Sequence, residues 1–531
     1  MTTEAEPTLE ETRRAEMLAK IEDLHAEQTK AVEAGGKYIA RHTERGKLTA
    51  RERIDLLVDE GSAFLELMPL AGWGSDFAVG ASMVTGIGVV EGIECMIVAN
   101  DPTVKGGALN PWSVKKSFRA AEIAEKNGLV TINLTESGGA DLPTQKEIFI
   151  PGGRGFRDLT RASARKQPTI SVVFGNCTAG GAYVPGMSDY VIMVAEQAKV
   201  FLAGPPLVKM ATGEETDDES LGGAEMHSRV SGSSDFLAVD EYDALRLARR
   251  TVARLNWRKA VAEPAAYAEP DLDPDGLLDL IPTDLKEPFD PREAIGRIVD
   301  GTGPGNEVPF DEFKPLYGTA LCVGWAQLHG RPIGILANAR GVLMSQEAQK
   351  AAQFIQLANQ KDTPLLFLHN TTGYMVGKEY EQGGIIKHGA MMINAVSNST
   401  VPHLTVIMGA SYGAGNYGMN GRAYDPRFLF TWPSAKSSVM GPAQLAGVLE
   451  IVARQSAESK GQPFDAAAFA PTKEMVEQMI EEQSLPYVLS GMVYDDGVID
   501  PRDTRTVLGI CLSAIDTRPT EGAMNFGVFR M

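Results

Sequence analysis

Two hydrophobic periodicities alternate along most of the chain. Apolar residues recur at helical spacing, with charges between them, over residues 8–33 and 47–58, and Thr49 is a candidate N-cap for the second run. From residue 83 onward, short β-rich runs such as MVTGIGVV, IECMIVAN and LVTINLTE alternate with helical patterns, one of which ends at Gly128. This alternation predicts an α/β fold.

One stretch interrupts the α/β pattern. Residues 263–315 are rich in Pro and Asp, which predicts a linker with one short helix. The expected organisation is therefore an N-terminal helical extension, a first domain, a linker and a second domain. Their predicted bounds are residues 1–45, 46–275, 276–315 and 316–531.

The two predicted domains contain matching segments. PTISVVFGNCTAGGAY, which ends at Tyr183, aligns without a gap with PHLTVIMGASYGAGNY, which ends at Tyr417. LVTINLTESGG ends at Gly139 and TPLLFLHNTTG ends at Gly373, and these glycines lie as far apart as the two tyrosines. Two further pairs occur in the same order: GIGVVEGIECMIVAN with GWAQLHGRPIGILAN, and KVFLAGPP with KSSVMGPA. The matches predict two copies of one α/β module.

In each copy a buried strand runs into small residues and then into a helical stretch. Glycine lets the backbone approach a ligand closely, and the first amides of a helix have no partner within it. Two such donors aimed at one point would stabilise an oxygen that gains negative charge, which is an oxyanion hole. The candidate pairs are Gly180 with Gly181 and Ala414 with Gly415. The alternative, in which these glycines only permit tight turns, is weakened because the device recurs at the same place in both copies.

Loops that end the preceding strands also carry candidate residues. In an open α/β layer, ligands bind at the carboxyl ends of the strands. Ser137–Gly139 and Thr371–Gly373 are therefore expected to border the same two pockets. Alternatively, these loops are strand-to-helix turns in which Ser and Thr cap a helix.

Composition and missing motifs exclude several functions. The 531 residues carry a net charge of −19, which makes nucleic acid a poor partner. Four widely spaced cysteines form no zinc ribbon, and no apolar run predicts a membrane span. No phosphate-binding loop, G-x-S-x-G elbow or H-E-x-x-H motif is present. The seven His form no cluster in the sequence, so no metal is expected, and His227 is predicted to be structural. The acidic N-terminus predicts a cytoplasmic protein, although a mitochondrial matrix protein trimmed of its targeting segment fits equally well.

Several longer segments resemble one known family. They include TVKGGALNPWSVKKSFRAAEIA, ESGGADLPTQ, NCTAGGAYVPGMSDY, NTTGYMVGKEYEQGGIIKHGAMM and GASYGAGNYGMNGRAYDPRFLF. From about residue 46 to the C-terminus the chain resembles the carboxyltransferase (β) subunit of biotin-dependent acyl-CoA carboxylases, in the 3-methylcrotonyl-CoA and geranyl-CoA branch. The resemblance implies a tandem repeat of two crotonase-like (ClpP/crotonase) ββα-superhelix domains, in agreement with the internal repeat.

The resemblance also implies a division of labour. The first domain would bind acyl-CoA, with Gly180 and Gly181 holding the thioester carbonyl as its enolate develops. The second domain of a partner copy would bind carboxybiotin, with Ala414 and Gly415 holding the ureido oxygen. The biotin anion left after CO₂ departs could take the substrate proton, so the protein would need no base of its own.

Assembly with other chains is implied as well. The site would lie at a head-to-tail dimer interface, and three dimers would form a homohexamer. No A-M-K-M biotinylation site is present, so a separate biotin carboxylase/biotin carboxyl carrier subunit would supply the biotin. Neither nucleic acid nor a membrane is an expected partner.

Further site residues are predicted around the two pairs. On the acyl-CoA side these are Ser137, Gly138, Gly139, Ala140, Tyr183 and, as candidates for CoA phosphates and adenine, Lys115, Lys116 and Arg119. On the carboxybiotin side they are Thr372, Gly373, Tyr374, Tyr412, Gly413 and Asn416. The alternative for the three basic residues is that they are solvated surface residues.

Two departures from the family pattern leave the acyl chain open. Glu136 stands where Asp is usual, and residues 148–169 differ from the usual segment and could line the acyl pocket. The preferred substrate is a branched enoyl-CoA such as 3-methylcrotonyl-CoA. The alternatives are an acetyl- or propionyl-type carboxylase, a biotin-dependent decarboxylase subunit, or a non-catalytic CoA-binding paralogue.

Overall fold

The computed structural model describes residues 7–285 and 287–531. Residues 1–6 of the predicted N-terminal extension lie outside the described residues. The rest of the extension contains α1 (Leu9–Val32) and α2 (Lys37–Thr43), and a capping box at Thr8 begins α1. The predicted helix over 47–58 is α3 (Ala50–Leu57), and Thr49 caps it as expected.

The first half of the described chain contains eight strands and the helices that follow α3. The strands are β1 (Phe64–Leu67), β2 (Met83–Val90), β3 (Ile93–Asn100), β4 (Val130–Ser137), β5 (Thr169–Thr178), β6 (Tyr190–Val194), β7 (Lys199–Phe201) and β8 (Phe236–Ala238). The helices are α4 (Pro111–Asn127), α5 (Gln145–Ala164), α6 (Tyr183–Met187), α7 (Pro205–Thr212), α8 (Asp218–Gly222), α9 (Ala224–Met226) and α10 (Glu241–Arg254). As predicted, α4 ends at a left-handed Gly128.

The predicted linker contains helices that pack against both halves of the chain. It contains α11 (Leu277–Leu280) and α12 (Pro291–Ile298), and the latter begins at an Asp290 cap followed by Pro291. Its Asp-Pro pairs therefore start helices rather than mark an extended connection. Its apolar side chains join the core between the two halves: Leu277, Leu278, Ile281, Phe289, Ala294, Ile295, Ile298 and Val299. The predicted division into domains 46–275 and 316–531 stays a prediction.

The second half repeats the pattern of the first. Its strands are β9 (Phe310–Glu312), β10 (Leu321–Leu328), β11 (Arg331–Asn338), β12 (Val342–Leu343), β13 (Leu365–Thr371), β14 (Gly373–Tyr374), β15 (His403–Tyr412), β16 (Phe428–Thr431) and β17 (Lys436–Ser438). Its helices are α13 (Ser345–Gln360), α14 (Lys378–Gln382), α15 (Ile385–Asn398), α16 (Gly413–Gly418), α17 (Pro442–Ser459), α18 (Ala466–Gln483), α19 (Pro486–Gly491) and α20 (Thr504–Ile515).

Sheet topology confirms the internal repeat. The first sheet has the order β1-β2-β3-β4-β5-β6-β8, with β7 paired to β5, and the second has β9-β10-β11-β13-β15-β16, with β17 paired to β15. In both sheets the first three of these strands are antiparallel and the rest are parallel. Both also shift register at the same place, between Thr135 and Ser137 in one and between His369 and Thr371 in the other.

The three largest hydrophobic cores of the described residues hold the layers together. One lies between the first sheet and helices α3 and α10, and another between the second sheet and helices α13 and α15. The largest combines side chains of both sheets, α4, α20 and the former linker. The two modules therefore share a buried core, which fixes each turn on a rigid support.

No helix within residues 7–285 and 287–531 is long and apolar enough to cross a membrane.

Candidate active site

The two predicted oxyanion turns have the same local structure. β5 runs into a 3-10 turn at Ala179–Ala182 and then into α6, while β15 runs directly into α16. The first residue of each turn, Ala179 or Gly413, has a left-handed φ of 54°. Beyond it, Gly180 and Ala414 are exposed, whereas Gly181 and Gly415 are buried. Each turn therefore presents main-chain atoms at the surface where a strand ends.

A loop that ends the neighbouring strand supports the first turn. The Ser137 hydroxyl donates to the Gly107 carbonyl at 2.7 Å and accepts from the Gly139 amide at 3.2 Å. A Cβ placed on Gly139, whose φ is 93°, would lie 3.4 Å from the carbonyl oxygen of Thr178. Gly138 and Ala140 continue this loop through backbone contacts with the segment around Gly107. The loop therefore borders the turn, as the sequence predicts.

The second turn has the equivalent support. The Thr371 hydroxyl donates to the Gly341 carbonyl and accepts from the Gly373 amide, both at 3.2 Å. A Cβ on Gly415 would lie 2.9 Å from the Thr371 hydroxyl and 3.0 Å from the Gly373 Cα. Because Gly415 has no Cβ, Thr371–Gly373 can pack directly against its main chain. Thr372 stays exposed beside them.

Aromatic side chains flank the first turn. Tyr183 is 42% exposed, and its ring centroid lies 5.6 Å from that of Phe156 on α5. A Cβ on Gly180 would lie 3.4 Å from Phe156 Cζ. Phe149 and Ile150, also on α5, are both 77% exposed. The segment that departs from the family pattern thus places one aromatic side chain, Phe156, next to Gly180.

The predicted tyrosines of the second module are mostly buried. Tyr412 ends β15 beside Gly413, and burial raises its pKa to about 12. Tyr374 packs against Gly389, and its hydroxyl contacts Met392 Sδ at 3.5 Å. Burial raises the pKa of Tyr374 as well, so both phenols stay protonated and act as packing groups.

Sequence reasoning missed a polar network beneath the second turn. Asn416 Nδ2 donates to the Ser411 hydroxyl at 2.8 Å, and that hydroxyl lies 2.9 Å from His369 Nδ1. His369 Nε2 contacts the Met419 carbonyl. Asn416 therefore points into the protein, where it anchors the turn from below. No signal in the sequence distinguished His369 from the other scattered histidines.

A buried ion cluster beneath the first turn was also missed. Glu136 accepts from Arg53 at 2.8 Å and from Lys47, and Arg53 also binds Glu241 at 2.8 Å. Although burial opposes it, the charges of Arg53 and Lys47 lower the pKa of Glu136. A Cβ on Gly175 would lie 2.4 Å from the Glu136 carboxylate, so glycine makes room for this longer acid. Glu136 is thus a structural ion-pair partner.

The three predicted basic residues on α4 do not share one surface. Lys115 is exposed, with its Nζ 4.2 Å from the centroid of the Trp112 ring. Lys116 is fully buried, and its Nζ donates to the carbonyls of Met83 and Gly80 at 2.6 and 3.3 Å. Arg119 is 2% exposed and binds both oxygens of Asp496 at 2.7 and 2.8 Å. The prediction that Lys116 and Arg119 contact CoA is therefore wrong, because their charged groups are engaged inside the protein.

Within residues 7–285 and 287–531, His, Cys, Asp and Glu form no group of three or more that could hold a metal ion.

Comparison with known proteins identifies the class of this paired-turn fold. The carboxyl transferase domain family matches residues 41–529. The chain belongs to this family. The prediction of a carboxyltransferase subunit of an acyl-CoA carboxylase is confirmed, as is the crotonase-like two-module fold.

Individual relatives place the chain more closely. It is 68% identical, over 97% of both chains, to a probable biotin-dependent acyl-coenzyme A carboxylase beta2 subunit of Mycobacterium tuberculosis. It is 48% identical, over 92% of both chains, to the biotin-dependent 3-methylcrotonyl-coenzyme A carboxylase beta1 subunit of the same organism. The crystal structure of the geranyl-CoA carboxylase beta subunit of P. aeruginosa matches with a TM-score of 0.89 and 41% identity, over 99% of both chains.

Proposed function

We propose that the chain transfers a carboxyl group from carboxybiotin, carried by a separate subunit, to a branched enoyl-CoA of the 3-methylcrotonyl type. One observation carries the proposal: the same arrangement of strand, turn and supporting loop occurs twice. In both copies the first residue of the turn has a left-handed φ, the second is exposed and the third is buried. The likeness to 3-methylcrotonyl- and geranyl-CoA carboxylase subunits supports the branched acyl chain.

Each turn is assigned one oxygen. The main chain at Gly180 and Gly181 would hold the thioester carbonyl, and hydrogen bonds from its amides would favour the enolate over the neutral thioester. The main chain at Ala414 and Gly415 would hold the ureido oxygen of biotin. Carboxybiotin would supply the activated carboxyl group. Because Ala414 is exposed, its main chain can be reached by this oxygen, and hydrogen bonds from the turn would stabilise the negative charge that the oxygen gains when CO₂ leaves.

The apolar side chains next to Gly180 would receive the acyl chain. Phe156 and Tyr183 flank the turn, and Phe149 and Ile150 are further exposed apolar side chains on α5. An apolar wall there would exclude water from the carbanion. The exposed Lys115 is the remaining side-chain candidate on α4 for the CoA phosphates.

The active form is proposed to be a head-to-tail dimer within a hexamer. The first turn of one copy would then face the second turn of its partner, and the biotinylated subunit would dock at this junction. A cytoplasmic location stays a prediction.

The test is carboxyl transfer by the complete assembly. The chain is combined with a carboxylated biotin-bearing partner subunit, and labelled carboxyl transfer is followed with 3-methylcrotonyl-, geranyl-, propionyl- and acetyl-CoA. We expect the branched enoyl-CoA substrates to be preferred. Failure with every acyl-CoA in a properly assembled complex would refute the enzymatic proposal.

Two variants test the turns themselves. Gly181→Val and Ala414→Val should each reduce transfer by a factor of about 100 or more, the effect expected when an oxyanion-hole donor is displaced. A Cβ on Gly181 meets only Cys177 Sγ at 3.9 Å, so the fold should tolerate the change. Gly186→Val, at an open position of α6, and Ala467→Val, at an exposed position of α18, are the matched controls. Full transfer by either turn variant would refute that turn's assignment.

A further inference from the structure

A continuous chain of hydrogen bonds links His369 to the second turn. His369 lies on β13 with no solvent exposure. Its Nε2 contacts the carbonyl of Met419, the residue that follows α16, and the Met419 amide donates to the Gly415 carbonyl at 3.0 Å. Met419 therefore connects His369 to Gly415, a residue of the turn.

The direction of these bonds follows from chemistry. A carbonyl oxygen can only accept, so His369 Nε2 carries the proton and Nδ1 is an acceptor. The Ser411 hydroxyl must then donate to Nδ1 across 2.9 Å, which leaves its lone pairs free to accept from Asn416 Nδ2 at 2.8 Å. These three hydrogen bonds are all compatible with a neutral imidazole. Burial lowers the pKa of His369 to about 4, although the hydrogen bond to Met419 acts to raise it. The ring is therefore neutral near pH 7.

His369 thereby holds both ends of α16. Ser411 and Asn416 lie on either side of the start of the helix, and Met419 follows its last residue. Because α16 spans only Gly413–Gly418, fixing both ends fixes the main chain of Ala414 and Gly415. The register shift after His369 brings Thr371 opposite Ser411, which completes the support.

The first module does not contain this network. By the internal repeat, Thr135 stands where His369 does, and its hydroxyl has no hydrogen-bond partner in the structure. Cys177 stands at the position of Ser411 and Ala182 at that of Asn416. The network therefore belongs to the second turn alone.

We infer that His369 is a positioning residue for the second turn, aligning the main chain at Ala414 and Gly415 for the ureido oxygen of carboxybiotin. It touches no reacting atom and acts through Met419 and Ser411. This inference rests on the proposed function of that turn.

The test uses His369→Leu in the full assembly with its biotinylated partner. Displacing a reacting group by about 1 Å can cost about 100-fold in rate, so we expect kcat to fall between about 10- and 100-fold. The KM for acyl-CoA should not change, because the acyl-CoA turn lies in the other module. Amide hydrogen exchange should accelerate in residues 413–419 and stay unchanged in residues 176–188.

Three further variants separate positioning from general destabilisation. His403→Leu removes another buried imidazole of the same module, one that binds Asn420 at 3.2 Å and Ser399 at 2.7 Å, and it should leave kcat within about twofold. His369→Gln keeps a donor within reach of the Met419 carbonyl and should recover part of the rate. Should His369→Leu not fold, Ser411→Ala cuts the link to Asn416 and should lower kcat in the same direction.

Specific results would overturn the inference. A full rate in folded His369→Leu would overturn it, and where that variant does not fold, a full rate in Ser411→Ala would do the same. Unchanged amide exchange in residues 413–419, or an equal loss of kcat in His403→Leu, would also overturn it. If the wild-type assembly transfers no carboxyl group, the proposed function fails, and the exchange measurement alone decides whether His369 orders the turn.

Discussion

At the residue scale, two lysines bury an ammonium group at equivalent places in the two modules. Lys116 donates to the carbonyl of Met83, the first residue of β2, and Lys350 donates to that of Leu321, the first residue of β10, at 2.9 Å. Burial lowers the pKa of Lys116 to about 8, since no carboxylate binds its Nζ within the described residues. These lysines tie a helix to a strand inside each module.

Adjacent lysines on α4 should therefore respond differently to mutation. We expect Lys115→Ala to raise the KM for acyl-CoA by about two- to fivefold, the effect of losing one exposed charge contact. Lys116→Met should lower the melting temperature, because it removes the buried hydrogen bonds that Lys116 donates to the carbonyls of Met83 and Gly80, and it should not change KM. Steady-state kinetics and thermal unfolding measure both effects. A raised KM in a fully stable Lys116→Met variant would show that Lys116 does reach CoA.

At the element scale, the sequence predicted what depends on local pattern. The α/β alternation, the helices predicted at 8–33 and 47–58, the repeat and the paired glycine turns are all visible in spacing and composition. The structure has all of them, with the two helices at Leu9–Val32 and Ala50–Leu57. The adjacent Lys115 and Lys116 look alike in the sequence, whereas the face of α4 on which each falls decides which one is buried. For the predicted linker the sequence indicated one short helix, whereas the structure has two α-helices there, because Asp and Pro occur in helix caps as well as in loops.

Contacts between elements that are distant in the sequence could not be predicted from local patterns of residues. Gly107 and Gly341 accept from Ser137 and Thr371 across separate loops, and neither glycine is part of a matching segment. His369 is likewise one of seven scattered histidines until β13, β15 and α16 are packed together. Such partners are set by tertiary structure, so one sequence carries no signal for them.

At the scale of the whole molecule, Arg119 joins the two modules. Besides Asp496, it donates to the carbonyls of Pro426 and Arg427 at 3.2 and 3.1 Å. Asp496 in turn accepts from the Leu429 amide on β16 at 2.8 Å. Although burial opposes both shifts, the pair raises the pKa of Arg119 and lowers that of Asp496, so both stay charged near neutral pH.

Breaking this pair should loosen the junction. Arg119→Met removes the cation that is hydrogen-bonded to the buried Asp496 carboxylate and leaves the longer contact with Arg422 at 3.8 Å, and we expect the free energy of unfolding to fall by about 3–5 kcal/mol. The double variant Arg119→Met/Asp496→Leu should recover part of that loss, because the buried carboxylate is removed together with Arg119. Urea unfolding measures both. Arg165→Met, which breaks a partly exposed pair with Glu125 at 3.2 Å, is the control and should cost about 1 kcal/mol or less. An Arg119→Met variant as stable as the control would contradict the structural role.

The assembly makes a distinct prediction, because each site is proposed to combine the first turn of one copy with the second turn of another. Gly181→Val and Ala414→Val chains should each be inactive alone. A mixed dimer, however, contains one site with both turns intact and one site with both turns altered. Random mixing places half of the dimers in this mixed form, with half of their sites intact.

The most direct measurement is therefore carboxyl transfer by the two variants after they are dissociated and reassembled together. The proposed arrangement predicts recovery of about a quarter of the wild-type rate, whereas reassembly of either variant alone should recover none. If the reassembled mixture has confirmed mixed subunits and still transfers no carboxyl group, the two turns do not meet across a subunit contact, and the proposed active site is wrong.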